Sequence, residues 1–204
     1  WTDPVVEMVN TFYNIPYKKI FKVPAPFQAS TFKMLPRETP KKPKVLFIGR
    51  EFDRKGGDII IKKLDKFLNN CSLTMVTGDK RANIKNVKYF DATLNRDQII
   101  DLYRTHDILL LPTKFDPYGL VLAEAAAAGL AIVTTKSALG SKDTITNNVT
   151  GFIAETQEEC VDLTIELTKD HKKIDAFKAA AYSKIQHSLT EAKIYEKYMK
   201  YINN

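Results

Sequence analysis

Residues Phe115 to Gly129 read FDPYGLVLAEAAAAG, and the order of features in that stretch decides the fold. The apolar run Ile108 to Leu111 precedes it as a buried strand, closed by the turn residue Pro112. An Ala-rich segment of high helix propensity follows and stops at Gly129. A strand ends, a loop carries Asp116 and Gly119, and a helix starts with its free amides turned toward that loop. Such a start attracts anions, because its first N–H groups lack intrahelical partners and the macrodipole is positive there. Asp116 lies on the loop, and Glu124 lies a turn or so into the helix. The place suits a phosphorylated, polyhydroxylated ligand.

The same alternation runs outward in both directions. Short apolar runs at Val45 to Ile48, Leu73 to Val76, Val87 to Phe90, Ala131 to Thr134 and Gly151 to Ala154 predict strands. Between them, Ile60, Leu64, Phe67 and Leu68 share a helix face with Asp58 near its start. Asn95 with Gln98 predicts a capped helix carrying Ile99, Leu102 and Tyr103. Thr156 with Glu159 reads as a capping box, and Asp170 and Thr190 open two further helices. The expected fold class is α/β, a Rossmann-like parallel sheet flanked by helices on both faces. Ligands on such sheets bind beyond the carboxyl ends of the strands, where the loops after Ile48, Val76, Leu111 and Thr134 lie.

Before Lys44 the composition changes. Seven of the nine prolines lie there, and proline density argues for extended connector. Val5, Met8, Val9 and Phe12 mark a helix from Pro4 to Tyr13, and Lys19 to Val23 reads as a short strand. The organisation expected is a tail of a preceding domain at 1–23, a Pro/Lys-rich linker at 24–43, the main domain at 44–188, and a last helix at 189–204. Trp1 opens the chain without a methionine, which reads as a piece of something longer.

Residues 1–44 hold eight Lys/Arg against Asp3, Glu7 and Glu38, and so account for most of the net charge of +7. A body so nearly balanced does not carry the basic stripe that nucleic acid requires. The basic segment is a solvated linker or a surface that approaches anionic lipid. Two cysteines, Cys71 and Cys160, are too few for a disulfide framework and read as buried thiols in a reducing, cytoplasmic setting. No apolar run reaches the length of a membrane span. His106, His171 and His187 have no partner at catalytic spacing, and no Ser, Cys and His form a nucleophilic arrangement.

The loop after the first strand reads Gly49-Arg50-Glu51-Phe52-Asp53-Arg54-Lys55-Gly56-Gly57. Its glycines let backbone approach a ligand, and Arg50 and Lys55 place two cations at one mouth. It is neither the dinucleotide fingerprint nor a Walker loop. Alone, the two cations read as surface charges; beside a second anion-attracting loop they read as a binding pair.

Together, VLFIGREFDRKGG, MVTGDK and FDPYGLVLAEAAAAGLAIVTT resemble the carboxy-terminal domain of group 1 glycosyltransferases, the retaining, nucleotide-sugar-dependent enzymes of sequence family 4 with the GT-B fold. The resemblance covers roughly residues 44–188. It implies one half of a GT-B enzyme of carbohydrate biosynthesis, with a UDP- or GDP-sugar as donor and no tightly bound cofactor or metal. The implied partners are the chain's own amino-terminal domain and a glycan or lipid-linked acceptor. It implies that Arg50 and Lys55 bind the donor diphosphate and that Glu124, the second acid of an E-x7-E motif, holds the donor ribose. Gly49, Gly78, Asp79, Tyr118, Gly119, Leu120 and Val121 are then donor-binding, with helix amides facing the phosphates.

Asp116 stands where the family usually has the glutamate that contacts sugar hydroxyls. Its side chain is one methylene shorter. The donor sugar is then differently placed, a water bridges, or the contact is lost. A GT-B-fold epimerase or phosphorylase, or a non-catalytic nucleotide-binding module, remains the alternative. A lone domain of this kind is expected to bind nucleotide without transferring sugar. Val5, Met8, Val9, Phe12, Tyr195 and Met199 would lack their usual cover, and packing on each other, pairing with a second copy, or mobility are all open to them.

Overall fold

The computed structural model describes residues 3–23, 28–35 and 37–202. Six strands form one sheet: β1 (Lys44–Ile48), β2 (Ser72–Val76), β3 (Val87–Phe90), β4 (Ile108–Leu111), β5 (Ala131–Thr135) and β6 (Gly151–Ala154). All pairings are parallel, in the order β3-β2-β1-β4-β5-β6. The chain leaves β1 toward one edge and returns beside it as β4, so the order reverses between these two strands. Connections diverge there and open a crevice at the carboxyl ends.

Alternate residues of each strand enter different cores, as the period of two requires. Leu46, Leu109, Leu111 and Ile132 pack with Leu122, Ala125 and Ile185 on one face. Val45, Phe47, Leu110 and Val133 pack with Ile60, Phe67, Val161 and Phe177 on the other. The first face is covered by α5 (Arg96–Thr105) and α6 (Leu120–Ala127). The second is covered by α3 (Gly57–Lys62), α4 (Leu64–Asn70) and α8 (Gln157–Leu167). The long α9 (His171–Ser188) reaches both cores, through Ile185 to the first and Phe177 to the second. This is the doubly covered parallel sheet the apolar runs predict.

Caps follow the sequence closely. Asn95 and Gln98 exchange both bonds of a capping box, and Asp170 accepts from the Lys173 amide. The Thr156 box forms by half. Its hydroxyl accepts from the Glu159 amide, but the Glu159 carboxylate takes the N–H of Glu155 instead of Thr156.

The helix expected from Asp58 is split at Lys63 into α3 and α4, and a separate helical turn, α2 (Phe52–Lys55), precedes it. Gly56 divides that turn from α3. It is left-handed, at φ 84°, and a Cβ there would lie 2.0 Å from the Pro112 carbonyl oxygen. Only glycine lets the loop after β1 press so closely on the loop after β4.

Lys19 to Val23 forms no strand; Tyr17–Lys19 is a single 3₁₀ turn. The following residues are used as anchors instead. Phe21 packs on Tyr201 of α10 (Glu191–Ile202) with centroids 4.7 Å apart, and Lys22 pairs with both Asp3 and Asp143. Val5 and Val9 of α1 (Asp3–Tyr13) meet Ile15, Ile20 and Phe21 around a shallow groove, while Phe12, Tyr13, Tyr195 and Tyr198 stay exposed.

Part of the stretch read as linker packs onto the body. Ala29–Phe32 is a 3₁₀ turn with Ala29 and Phe32 buried in the first core. Arg37 pairs with the fully buried Asp107 at 2.7 Å, and Thr39 donates to Asp175 at 2.6 Å. Lys178, also buried, donates to the Arg37 carbonyl and lies 3.4 Å from Asp107, whose other oxygen accepts the Lys44 amide. A buried carboxylate needs such partners, so the segment before β1 is locked to the amino-terminal end of the sheet. Pro24, Pro26 and Pro36 lie outside the described residues.

Both cysteines are buried free thiols. Among the described residues no helix is long and apolar enough to cross a membrane. His106 is a core residue. Its Nδ1–H donates to the Leu102 carbonyl at 2.6 Å, and its Nε2 accepts from Thr74 Oγ1 at 2.8 Å. Burial pushes its pKa down from 6.5 to about 4, against the pull of the Leu102 bond. The unfolded chain therefore binds a proton that the folded one refuses between those values. The His106 contribution is complete above pH 6.5, falls as pH drops toward 4, and changes no further below it. Urea unfolding across this window should show up to about 3 kcal/mol of loss attributable to this group. His106→Gln should flatten that slope, and an unaltered slope would contradict the assignment.

Candidate functional site

Three strand-end loops meet at the carboxyl end of the sheet. After β1, the Gly49 amide donates to the Val76 carbonyl, continuing the β1–β2 ladder by one residue. A Cβ at Gly49 would lie 2.7 Å from Lys55 Cβ, so the glycine lets the lysine stem fold back across the strand end. The single turn of α2 returns Lys55 toward the loop after β4, where its ammonium pairs with Asp116 Oδ2.

Asp116 holds the next part of the site. Its Oδ1 accepts the amides of Tyr118 at 3.2 Å and Gly119 at 2.9 Å. Its backbone is gripped by the loop after β5, accepting from the Leu139 amide and donating to the Ser137 carbonyl. Burial of the carboxyl disfavours its charge, but Lys55 and the two amides outweigh that and hold it below the usual aspartate range. Arg54 clamps the other side. Its guanidinium takes Glu51 in a two-point grip and donates to the Phe115 carbonyl, while its own carbonyl accepts the Lys114 amide.

Gly119, left-handed at φ 70°, turns the chain into α6. Gly119, Leu120 and Val121 at the start of that helix line a cavity of about 380 Å³ together with Gly49, Arg50, Lys55, Asp116 and Tyr118. Two of its cations are neutralised locally, Arg54 by Glu51 and Lys55 by Asp116. Arg50 is exposed and makes no ion pair among the described residues. The mouth is therefore cationic at Arg50 and at the helix end.

Glu124 sits beyond the partition formed by Leu120, which lines both this cavity and a second one of about 520 Å³. The second holds Glu124 with Leu94, Arg96 and Ile99, and is bordered by Phe32 and Glu191. The half-buried Glu124 accepts from the Tyr103 hydroxyl at 2.9 Å. Burial raises its carboxyl above the usual range, and Tyr103 and Arg96 pull it part of the way back. The two acids of the sequence motif thus serve neighbouring cavities on either side of one leucine.

Gly78 and Asp79 line neither cavity. Asp79 caps the Lys80–Ala82 turn through the Arg81 amide and pairs with the Arg81 guanidinium at 2.6 Å. That guanidinium also pairs with Asp53 and stacks on the Phe52 ring. Asp79 is held below the usual aspartate range by Arg81. Among the described residues no group of three His, Cys, Asp or Glu side chains is placed to hold a metal ion.

Three contributors are not among the residues expected from the sequence. For Glu51 and Arg54 the signal is a Glu–Arg pair at i, i+3. Tyr103 has the spacing of a helix-face aromatic, and nothing in that spacing announces a hydroxyl directed at a residue of the next helix.

The model of the family described as "Glycosyl transferases group 1" matches residues 32–184. An uncharacterized glycosyltransferase of Methanocaldococcus jannaschii is 29% identical over 120 residues, covering 53% of this chain and 30% of that protein. S. aureus TarM, crystallised with UDP among its ligands, superposes with a TM-score of 0.81 at 16% identity, over 100% of this chain and 43% of TarM. The C-terminal domain of a group 1 glycosyl transferase (LpcC) from Francisella tularensis gives a TM-score of 0.66 at 16% identity, over 81% of this chain and 99% of that domain. The chain spans less than half the length of the first relative and of TarM. The structural likeness concerns the fold, one half of a GT-B architecture.

The Asp116 geometry separates cap from charge. Asp116→Asn keeps an oxygen for the two loop amides and loses the Lys55 pair; Asp116→Ala loses both. The alanine variant should be less stable than the parent by about 1–2 kcal/mol, and the asparagine variant by clearly less. Equal losses in urea titrations would show that the loop amides do not depend on this side chain.

Proposed function

Because this chain belongs to the group 1 glycosyl transferase family, we propose that it is the donor-binding domain of a retaining glycosyltransferase. The enzyme moves a sugar from a UDP- or GDP-sugar to a glycan or lipid-linked acceptor. The observation that carries the reading is the partition at Leu120. A cationic cavity at the start of α6 lies beside a larger, partly apolar cavity containing Glu124. A nucleoside diphosphate has the same division, with the anionic part in the first and the ribose and base in the second. TarM, whose structure includes UDP, shares the fold.

Catalysis in this reading is electrostatic. Arg50, Lys55 and the first-turn amides of α6 face the diphosphate as it departs with the bonding electrons. The helix amides, fixed by the backbone, need no reorganisation at that moment. Lys55 reaches the phosphate by exchanging its Asp116 partner for a second anion. Asp116 keeps the loop amides in place and has one oxygen free to accept from a sugar hydroxyl once Lys55 has moved. Glu124 accepts from the ribose diol.

Residues 1–23 and 189–204 belong to the junction with the enzyme's amino-terminal domain, which supplies the acceptor side of the cleft. The exposed Phe12, Tyr13, Tyr195 and Tyr198 fit a surface that such a domain covers. Without it, this chain binds donor and does not transfer to acceptor.

Arg50 is exposed and makes no ion pair among the described residues, so its loss reports on ligand with little effect on the fold. Arg50→Ala should weaken UDP or GDP, measured by calorimetry, about tenfold, as expected for one charge-assisted bond to phosphate. Uridine or guanosine binding should barely change. Unchanged diphosphate affinity would remove the phosphate site from this loop.

A further inference from the structure

Tyr103 lies in α5 with 1% of its surface exposed, and its hydroxyl donates to Glu124 Oε2. Burial and the adjacent carboxylate keep the phenol well above its ordinary range, so it stays a donor wherever the protein is folded. Phe32 packs edge-on against the ring, with centroids 5.7 Å apart and planes at 76°, and fixes it from the side of the 28–32 turn. A buried tyrosine needs a partner for its hydroxyl, and this one has been given the carboxylate of a cavity wall.

We propose that Tyr103 is the positioning residue of the nucleoside cavity, holding one oxygen of Glu124 so that the other is presented to a ribose diol. The inference rests on the role given to Glu124 above. The groups facing Glu124 are Tyr103 and Arg96 from α5, Glu191 from the start of α10, and Gln28 and Phe32 from the turn before β1. Of these, Tyr103 and Arg96 favour the ionised carboxylate and burial opposes it. A diol binds the ionised form, so the acid limb of nucleotide binding follows this carboxyl. Removing the phenol hydroxyl both loosens the carboxylate and moves its titration upward.

The test is calorimetry on the 204-residue chain with UDP, GDP and inorganic pyrophosphate between pH 4 and 8. Tyr103→Phe should weaken the nucleotide about fivefold at pH 8, equivalent to one hydrogen bond. It should leave pyrophosphate unaffected and shift the acid limb to higher pH. Glu124→Gln should reduce the limb to the part that the phosphates' own ionisation supplies, which pyrophosphate also shows. Equal weakening of nucleotide and pyrophosphate, or an unshifted limb, would overturn the role of Tyr103 while leaving that of Glu124 standing. Failure of the unaltered chain to bind either nucleotide would overturn both. If Tyr103→Phe does not fold, replacing the tyrosines with a fluorinated, more acidic tyrosine strengthens the same donor. The limb should then move to lower pH, and an unmoved limb would overturn the proposal.

Discussion

The carboxylate of Asp116 joins parts of the molecule that the sheet alone would leave independent. It takes the ammonium of Lys55 from the loop after β1 and two amides from the turn into α6, while its backbone is bonded to the loop after β5. Each of those loops follows a different strand, and the strand order reverses beside them. One side chain at a topological switch point thus ties the loop that leads into α6 to its neighbouring loops. The short aspartate side chain suits that task, since accepting the amides two and three residues further on is the geometry of an Asx turn. An aspartate at this position is therefore explained by local structure, whatever it also does for a ligand.

The second consequence is a division of labour between two acids eight positions apart in one motif. Asp116 is committed to the polar loop junction and is held ionised by it. Glu124 is one helix segment further on, half-buried beside apolar residues, and its charge is opposed by burial. Leu120 separates the two environments. A ligand with a dianionic middle and a neutral, hydroxylated end meets complementary surroundings across that leucine. The larger cavity is walled by Phe32 and Glu191, which belong to the segments just before and just after the main body of the domain.

What was legible in the sequence follows from the physics of each part. The central strands are apolar on both faces, so Ile108–Leu111 and Ala131–Thr135 stand out as continuous runs. Asn95, Asp170 and Thr190 act where their short side chains can cap, which is a local property. The division of α2 from α3 was hidden because the demand on Gly56 comes from Pro112, far along the chain. The docking of residues 28–35 and 37–39 was hidden for a similar reason: proline density describes the backbone's preference, whereas Asp107 and Lys178, buried at the sheet's amino-terminal end, supply partners. In the site, the pairing of a basic loop with a helix start was readable, but the commitment of Asp79 to Arg81 and of Tyr103 to Glu124 required the third dimension.

We propose that the start of α6 and the loop after β1 form one diphosphate site whose lysine is held by Asp116 until the ligand arrives. A crystal structure of the chain with UDP or GDP bound tests it directly, through the separation between Lys55 Nζ and the Asp116 carboxylate. The phosphates should lie against the α6 amides and Arg50, and Lys55 should have left Asp116 for a phosphate oxygen. The ribose hydroxyls should lie on Glu124. A nucleotide bound elsewhere, or bound here with the Lys55–Asp116 pair intact, would contradict it.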